Sequence, residues 1–313
     1  MSMRLVYMGT PEFAVPPLQA LLEAGHEILA VCTQPDRPKG RKKEPAACPV
    51  KVFAQSRGIA VIQLERLRSK EGVETLRALA PDLFVTAAFG QILSKRVLEI
   101  PKMGTVNLHA SLLPAYRGPA PINWCIIQGE TMTGVTTMMT DAGIDTGDML
   151  LSKSVDILPG ETADALSERL SRIGAELLVE TLERLERGDC PRTPQDPAQA
   201  SYHPMLDTET GRIDWGQPAQ AIVNRVRGVT SSPGAFTHTP QGILKIWEAR
   251  VYPGQGTPGQ VLLAQPKAGL VIACADRAVE IVSLQAPGSK RMAAKDYLRG
   301  HEIDPNVPWG GAL

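Results

Sequence analysis

Apolar runs alternate with amphipathic segments over the first part of the chain. The runs have the length and β-branched content of strands, and the segments between them have helical periodicity. The predicted strands cover residues 4–8, 26–33, 59–63, 82–90 and 104–110. We expect Thr10 to cap the first helix. Because strands that alternate with helices pair in parallel through crossovers, we predict an α/β fold with a doubly wound, mostly parallel sheet.

The pattern changes in the middle of the chain. Two β-prone segments flank the loop DAGIDTGD (141–148), and apolar residues recur at helical spacing from 162 to 188, which predicts one long amphipathic helix. A proline-rich stretch has the composition of a linker, and short β-prone runs divided by glycine and proline then predict a small β-barrel. We therefore divide the chain into an α/β domain (1–189), a linker (190–206) and a barrel domain (207–313).

The composition limits the classes of function. Lysine plus arginine and aspartate plus glutamate each total 33, so the whole chain has no net field that attracts a polyanion. The five cysteines form no C-x-x-C pair, which is typical of reduced thiols rather than of disulfides or a zinc site. No apolar run is long enough to span a membrane, and no signal peptide pattern is present. We expect a cytoplasmic protein without a membrane partner.

The usual nucleotide and metal motifs are missing from the sequence. GTPEFA, after the first predicted strand, is not G-x-G-x-x-G, and no G-x-x-x-x-G-K-[ST] occurs. The histidines have no spacing typical of metal ligands. We therefore expect neither a dinucleotide cofactor nor a metal ion.

Polar side chains are concentrated where the fifth predicted strand ends. Asn107, His109 and Ser111 occupy alternate positions in NLHAS, so they face one way if the strand continues through them. In parallel sheets, ligands bind beyond the carboxyl ends of the strands. If turns in the loop 141–148 bring Asp145 to His109, the carboxylate would orient the imidazole, and Asn107 would donate to an oxyanion.

This set of residues fits acyl transfer without an enzyme nucleophile. The sequence has no G-x-S-x-G turn and no evident Cys–His pair, so the simplest chemistry is direct attack of an amine on a carbonyl. The residues alone leave a second interpretation open. A histidine at a strand end is often structural, and clusters of aspartate and glycine often form only turns.

NLHASLLPAYRGPAPINW (107–124), together with DAGIDTGD, resembles the signature of the folate-dependent formyltransferases. The resemblance implies 10-formyltetrahydrofolate as co-substrate. It also implies that Asn107, His109 and Asp145 are the catalytic residues. The folate site that it implies is lined by Ser111, Leu112, Leu113, Pro114, Phe89, Gln91, Ile92 and Leu93.

The resemblance extends over nearly the whole chain. GTPEFA, QPDRPKGRKK, RIDW and PGSKRM, in this order, are similar to the branch of the family that formylates the methionine on initiator tRNA for translation initiation. That branch has an OB-like barrel as its C-terminal domain. The resemblance therefore implies initiator methionyl-tRNA as the partner, and we expect a monomer. The sequence departs from the pattern at Phe89, Ser94 and Met205, the last of which stands where a lysine is common.

A basic stretch follows the second predicted strand. Residues 34–51 hold six basic and two acidic side chains, a local charge of +4. Proline and glycine in the stretch predict a mobile loop that orders on RNA, where its cations would contact phosphates. The cations that we expect to bind RNA are Arg37, Lys39, Arg41, Lys42 and Lys43. A charge run is also a common form of solvated surface, so this second interpretation stays open.

Three other functions share part of these features. A formyltransferase that acts on an amino sugar nucleotide would use the same catalytic residues, but it would not need the basic stretch. A hydrolase or dehydrogenase of formyltetrahydrofolate would pass the one-carbon unit to water. A tRNA-binding module without turnover would keep the barrel and the basic stretch, but the intact Asn107, His109 and Asp145 disfavour it.

Overall fold

The computed structural model describes residues 2–39 and 44–310. The chain forms two compact units. Unit 1 comprises Met1–Pro121, Met132–Asp156 and Ser167–Pro204, and unit 2 comprises Ile122–Thr131, Ile157–Leu166 and Met205–Leu313. The two units are defined by which residues pack together. The limits predicted from the sequence, 1–189, 190–206 and 207–313, instead describe the expected functional domains. Those limits stay a prediction.

A mixed sheet forms the centre of unit 1. The strands described in this unit are β1 (Arg4–Gly9), β2 (Glu27–Thr33), β3 (Arg37–Lys39), β4 (Glu44–Ala46), β5 (Val61–Gln63), β6 (Leu83–Ala87), β7 (Thr105–His109), β8 (Met132–Met139) and β9 (Met149–Asp156). Seven of them pair in the order β5-β2-β1-β6-β7-β8-β9. The strands from β5 to β7 are parallel, and β8 and β9 extend the edge as antiparallel strands. The predicted α/β class with a mostly parallel sheet is confirmed.

Helices connect the strands and cover the sheet. In unit 1 they are α1 (Val15–Glu23), α2 (Pro49–Ser56), α3 (Lys70–Ala78), α4 (Lys95–Leu98) and residues 167–187 of α6 (Ala163–Arg187), whereas α5 (Pro121–Ile127) belongs to unit 2 from Ile122 onward. Central strands buried on both faces carry mainly apolar side chains, as β1 does after Arg4 and β6 does except at Thr86. Val6 and Phe84 from these strands pack with Val73 and Leu76 of α3 in one core cluster. Ser69 caps α3, since its Oγ accepts a hydrogen bond from Gly72 N at 3.1 Å.

The chain changes direction at β1. From β1 it runs outward through β2 to β5, and it then returns to the other side of β1 through β6 and β7. Such a reversal opens a crevice at the carboxyl ends of the two strands beside it, where α/β sheets bind ligands. Gly9, Ala87 and His109 end β1, β6 and β7. The candidate residues on β7 therefore lie at the edge of the sheet that the topology favours.

The prediction that Thr10 caps the first helix is wrong. A 3-10 turn at Glu12–Ala14 precedes α1, whose N-cap residue is Ala14. Thr10 Oγ1 instead donates to Phe89 O at 3.0 Å and accepts from Gln34 N at 3.2 Å. A hydroxyl can donate and accept at once, so Thr10 ties together the segments that follow β1, β2 and β6.

Unit 2 is built on an antiparallel sheet. Its strands and helices are α7 (Ala219–Gly228), β10 (Ala235–Thr239), β11 (Gly242–Tyr252), β12 (Val261–Gln265), β13 (Gly269–Ala273), β14 (Ala278–Gln285), β15 (Met292–Ala293) and α8 (Ala294–Tyr297). The strands pair in the order β10-β11-β14-β13-β12, and β15 pairs with β14. Among the described residues, no pairing joins β10 to β12. The finding is an antiparallel-sheet domain, and the predicted closed barrel is not confirmed.

Helix α7 was not predicted from the sequence. It buries Ile222 and Val226 in the same core as Trp215 and Leu244. Its β-branched residues have low helix propensity, and burial of one face decides the conformation instead. Within residues 2–39 and 44–310, no helix combines the length and the apolar character that crossing a membrane requires.

Candidate active site

The carboxyl end of β7 carries the first candidate residue, Asn107. Its half-buried side chain lies opposite Thr86 in the parallel register of β6 and β7. Thr86 Oγ1 donates to Asn107 Oδ1 at 2.7 Å. Because this bond fixes the amide oxygen on Thr86, the Nδ2 group of Asn107 is directed away from it. The amide can therefore act as an oriented donor.

His109 ends β7 and is 6% exposed. Its Nε2 lies 2.9 Å from Tyr116 O. Since a carbonyl oxygen only accepts hydrogen bonds, Nε2 carries a proton, and this fixes the tautomer of the neutral ring. The other ring nitrogen, Nδ1, lies 3.7 Å from Asp145 Oδ1. The structure therefore brings together the histidine and the aspartate that the sequence singles out, and their catalytic roles stay a prediction.

The loop between β8 and β9 positions Asp145. Asp141 Oδ1 accepts hydrogen bonds from Gly143 N at 3.0 Å and Thr146 Oγ1 at 2.7 Å, which folds the loop on itself. Asp145 has a φ of 53°, a left-handed conformation that residues other than glycine rarely adopt. Its Oδ2 accepts a hydrogen bond from Gly118 N at 2.9 Å. The carboxylate is thus held on one side by backbone and faces His109 on the other.

The segment after β7 is tied to β8 by hydrogen bonds and packing. The strand ends at His109, so the alternation does not continue to Ser111, whose Oγ donates to Ala115 O at 2.7 Å and closes a turn. Thr136 Oγ1 on β8 donates to Ser111 O at 2.7 Å and accepts from Leu113 N at 3.2 Å. Leu112 packs on β8, and Pro114 follows a cis peptide bond. Folate contact by residues 111–114 stays a prediction.

In the segment after β6, most of the side chains pack in the core or bind backbone groups of the protein. Phe89 and Leu93 are buried in the core of unit 1. Gln91 binds the backbone of the loop 64–67, where its amide accepts one hydrogen bond at 2.8 Å and donates another at 2.9 Å. Ile92 differs from these three, since it is 66% exposed. Of the four side chains predicted to contact folate here, Ile92 offers free apolar surface, and the folate role of all four stays a prediction.

The described part of the basic stretch contains two short paired strands, where the sequence predicts a mobile loop. Strands β3 and β4 pair in antiparallel register. The Arg37 guanidinium lies 2.6 Å from the Glu65 carboxylate, and both side chains are exposed. Arg41, Lys42, Lys43 and the side chain of Lys39 lie outside the described residues. Contact of this stretch with RNA stays a prediction.

A polar network holds Asp36 and Lys51, which flank the two paired strands. Lys51 Nζ donates to Asp36 Oδ2 at 2.5 Å and to Gln63 Oε1 at 2.7 Å. Gln63 Nε2 donates to Asp36 Oδ1 at 2.9 Å. The hydrogen bonds from Gln63 and then Lys51 hold the pKa of the Asp36 carboxyl below its usual value. Lys51, one of the six cations of the stretch, is therefore paired within the protein.

The proline-rich segment packs against the candidate site rather than extending freely. Thr193 exchanges two backbone hydrogen bonds with Met149 of β9, both at 2.9 Å. Ser201 Oγ accepts from Tyr116 N at 2.8 Å, and the His203 ring stacks on the Tyr116 ring with 4.8 Å between centroids. Burial lowers the pKa of His203 below its ordinary value. These contacts could not be predicted from the proline-rich composition. A segment of this composition can extend freely or pack on the protein, and its composition is the same in both cases.

Two further observations on the described residues concern other places where a ligand could bind. No group of three or more histidine, cysteine, aspartate or glutamate side chains among them is placed to hold a metal ion. A cavity of about 650 Å³ lies in unit 2, and none of its lining residues belongs to the candidate site. It is lined by Glu209, Arg212, Ile213, Asp214, Trp215, Gly216, Arg225, Pro258, Pro308, Trp309 and Gly310. The geometry therefore directs attention to the sheet edge.

Comparison with known proteins identifies the family. Residues 3–182 match the family described as formyl transferase, and residues 205–302 match its C-terminal domain. A methionyl-tRNA formyltransferase of Citrifermentans bemidjiense is 50% identical over 312 residues, which cover 100% of this chain and 96% of that protein. One from Geotalea uraniireducens is 52% identical over 304 residues, 97% of each chain. The chain belongs to the methionyl-tRNA formyltransferase family.

Solved structures share the fold of this methionyl-tRNA formyltransferase family member. HypX from Aquifex aeolicus, in complex with tetrahydrofolic acid, matches with a TM-score of 0.64 at 21% identity, over 95% of this chain. The chain spans about half of HypX, since the match covers 47% of it. WlaRD, a sugar 3N-formyl transferase, matches with a TM-score of 0.67 at 18% identity, over 93% of this chain and 100% of its own. At these identities the likeness concerns the fold alone.

Proposed function

We propose that this protein transfers the formyl group of 10-formyltetrahydrofolate to the α-amine of methionyl initiator tRNA, the step that prepares the methionine for translation initiation. The observation that carries the proposal is the identity of about 50% over the whole chain with relatives named methionyl-tRNA formyltransferase. Asn107 and His109 support it, because they lie at the carboxyl end of β7, and Asp145 lies 3.7 Å from the His109 ring.

The reaction joins one nitrogen to the formyl carbon and releases another. The neutral α-amine of the methionyl ester attacks the formyl carbon, and the carbonyl oxygen becomes an oxyanion. The bond from that carbon to N10 of the folate then breaks. One proton leaves the attacking amine and one is gained by N10, so the net change moves a formyl group in one direction and a proton in the other. No covalent enzyme intermediate is needed.

Asn107 supplies the uncharged donor for the oxyanion. Its Nδ2 is oriented because Oδ1 is bound to the Thr86 hydroxyl at 2.7 Å. A donor that is fixed before the reaction stabilises developing charge without reorganisation, and loss of one such donor typically costs about 10²- to 10³-fold in rate.

His109 and Asp145 handle the proton. Because Nε2 is bound to Tyr116 O, Nδ1 is the ring nitrogen that takes up and releases a proton during the reaction. When the ring is protonated, it stabilises the oxyanion together with Asn107. The Asp145 carboxylate, 3.7 Å from Nδ1, stabilises the charged ring and helps to pass the proton from the amine to N10.

The folate donor occupies the crevice beside β1, β6 and β7. Ser111, Leu112, Leu113 and Pro114 form one wall, and the segment with Phe89, Gln91, Ile92 and Leu93 forms the other. Two features support this placement: both segments follow carboxyl ends of parallel strands, and each is anchored by hydrogen bonds to a neighbouring segment. The exposed Ile92 is the side chain best placed for apolar contact with the pterin ring.

The tRNA binds through its phosphates. The basic stretch with Arg37, Lys39, Arg41, Lys42 and Lys43 contacts the acceptor arm, and the antiparallel domain of unit 2, folded as an OB-like barrel, provides a second contact. Phosphate contacts of this kind position the RNA and do not read its sequence. We also infer that the protein acts in the cytoplasm, where translation initiates. We infer further that it acts as a monomer.

The deciding experiment follows labelled formyl from 10-formyltetrahydrofolate to methionyl initiator tRNA, with free methionine and an amino sugar nucleotide as control acceptors. We expect label on the methionyl-tRNA and none on either control. Label in formate alone would indicate a hydrolase, and label on the sugar nucleotide a sugar formyltransferase. Binding of the tRNA without any turnover would leave only an RNA-binding module. Each of these three results overturns the proposal.

A further inference from the structure

Gln195 makes four hydrogen bonds with its side-chain amide. It is 9% exposed and lies in the proline-rich segment that packs on unit 1. Its Oε1 accepts from Arg117 Nε at 3.0 Å and from Arg117 Nη2 at 2.8 Å. Its Nε2 donates to Asp145 O and to Gly147 O, each at 2.8 Å. Arginine only donates and carbonyls only accept, so the partners fix the orientation of the amide, and its full capacity is used.

These bonds close a ring around the aspartate. Asp145 Oδ2 accepts from Gly118 N at 2.9 Å, and Gly118 directly follows Arg117. The Arg117–Gly118 pair is thus held twice, by Gln195 through the guanidinium and by the Asp145 carboxylate through the backbone amide. Gln195 closes the ring by holding two carbonyl groups, those of Asp145 and Gly147, on the C-terminal side of the position that carries the carboxylate.

Asp145 needs such a restraint because of its backbone conformation. Its φ of 53° lies in the left-handed region, which a residue with a Cβ adopts at a cost unless surrounding contacts hold it. A more relaxed φ would turn the side chain, which at present has Oδ1 toward His109 Nδ1 and Oδ2 on Gly118 N. The two bonds from Gln195 Nε2 hold the peptide groups that such a change would have to rotate.

We propose that Gln195 is a positioning residue, which holds the Asp145 carboxylate against His109 through the carbonyl groups of Asp145 and Gly147. Its effect on turnover rests on the function proposed above, but its effect on the loop does not. The donor half of the amide, Nε2, carries this role. The acceptor half, bound to Arg117, fixes the amide so that Nε2 points at the loop.

Two substitutions separate the two halves of the amide. Gln195→Glu keeps an acceptor for Arg117 but places an oxygen opposite two carbonyl oxygens, which repel it. Gln195→Leu removes both halves of the amide at similar side-chain volume. Because the Arg117 guanidinium then lacks this acceptor, the variant also shows whether the protein folds without the Gln195–Arg117 contact. Gln199→Ala is the matched control, because Gln199 lies in the same segment and its Nε2 bonds the nearby Asp196 side chain at 3.1 Å.

Amide hydrogen exchange measures how firmly the ring of hydrogen bonds holds the Asp145 loop, and it needs no assay of activity. The Gly118 amide is the direct reporter, since the Asp145 carboxylate accepts its hydrogen bond. We expect its exchange, and that of peptides covering 141–148, to become about 10-fold faster or more in Gln195→Glu and Gln195→Leu. Gln199→Ala should match the wild type. Unchanged exchange in the folded Gln195→Glu variant would show that Gln195 does not hold the loop.

Formyl transfer to methionyl-tRNA tests the effect on catalysis. We expect Gln195→Glu to lower kcat by about 10- to 100-fold while KM for the folate donor stays within about twofold, because the reacting groups are misplaced and binding is not. In an Asp145→Asn background, the same substitution should change kcat by less than about twofold, since no carboxylate remains to be positioned.

The two arms distinguish failure of this inference from failure of the proposed function. Multiplicative losses in the double variant, or near-normal kcat in Gln195→Glu, would overturn the positioning role. If the wild-type protein transfers no formyl to methionyl-tRNA, the proposed function fails, and the exchange of Gly118 still decides whether Gln195 holds the Asp145 loop.

Discussion

His109 Nδ1 lies 3.7 Å from Asp145 Oδ1, while Nε2 of the same ring is bound to Tyr116 O at 2.9 Å. One nitrogen of the ring is thus held by the backbone, and the other faces a carboxylate. The distance to Asp145 exceeds that of a hydrogen bond. Catalytic hydrogen bonds are often long before substrates bind, so we expect this contact to shorten when the folate donor and the amine fill the site.

The first prediction concerns the three candidate catalytic side chains. His109→Ala and Asp145→Ala should each lower kcat/KM for formyl transfer by about 10²- to 10⁴-fold, because proton transfer loses its carrier or the group that stabilises it. Asn107→Ala should lower it by about 10²- to 10³-fold through loss of the oxyanion donor. Circular dichroism would establish that each variant is folded. Near-normal rates in a folded variant would remove that residue from the mechanism.

The second prediction concerns Thr86, which touches no reacting atom. Thr86→Val keeps the shape of the side chain and removes the hydroxyl that donates to Asn107 Oδ1. A hydrogen bond of this kind contributes about 1 kcal/mol, so we expect kcat to fall about fivefold as the Asn107 amide loses its fixed orientation. Steady-state kinetics with both substrates would measure the change.

Thr181→Val is the matched control for this substitution. Thr181 is also buried in unit 1, and its hydroxyl bonds to Thr137 Oγ1 at 2.8 Å and to Leu177 O at 2.7 Å. It should lower thermal stability with little effect on kcat. Equal effects of the two variants on kcat would mean that Thr86 acts through general stability rather than through Asn107.

The sequence predicts the sheet and two of the site residues for definite physical reasons. Buried parallel strands must be apolar on both faces, so their runs stand out, and β1 and β6 lie where the pattern places them. Asn107 and His109 share one side of β7 because side chains alternate along any strand. These inferences need only local geometry, which one sequence carries.

What the sequence does not predict depends on distant partners. The pairing of Thr86 with Asn107 requires the register of β6 and β7, which crossover lengths do not fix. Thr10 bonds Phe89 O instead of capping a helix, since the neighbouring strand ends offer partners that no local pattern reveals. Gln195 lies in a proline-rich stretch, and nothing in its composition indicates an aspartate loop as its partner.

The third prediction concerns Gly147 in the loop that carries Asp145. A Cβ at this position would lie 1.9 Å from Met139 O, so the backbone has to move to accommodate any side chain. Gly147→Ala should destabilise the protein by about 1–3 kcal/mol, as overpacking does, and lower kcat because the loop shifts. Denaturant unfolding and kinetics would measure the two effects.

Gly300→Ala provides the comparison for the loop glycine. Nothing lies within 4 Å of a Cβ built at Gly300, so alanine should be accommodated there with little loss of stability or activity. If Gly147→Ala resembles Gly300→Ala in both measurements, the Asp145 loop is less restrained than its packing implies.

The fourth prediction concerns the pH dependence of stability. Burial lowers the pKa of His26 from 6.5, against smaller opposing effects of Glu186 and Glu183, and its Nδ1 accepts from Met3 N at 3.3 Å. The unfolded chain therefore binds this proton first, so the contribution is present above about pH 6.5 and is lost as pH falls. His26→Asn keeps an acceptor that does not titrate. Urea unfolding should show a smaller loss of stability below about pH 6.5 in this variant, and an equal loss would contradict the assignment.

The last prediction concerns the basic stretch and the salt dependence of tRNA binding. If five of its cations contact phosphates, log K should fall with log salt at a slope of about −3.5 to −4.5. Replacing Lys42 and Lys43 with alanine should make the slope shallower by about 1.4 to 1.8, because two phosphate contacts disappear. Lys70 and Lys95 are exposed and each pairs with the glutamate four residues further along the chain, so their double alanine variant is the control for lost charge. Equal slopes for the two double variants would show that Lys42 and Lys43 make no phosphate contacts of their own.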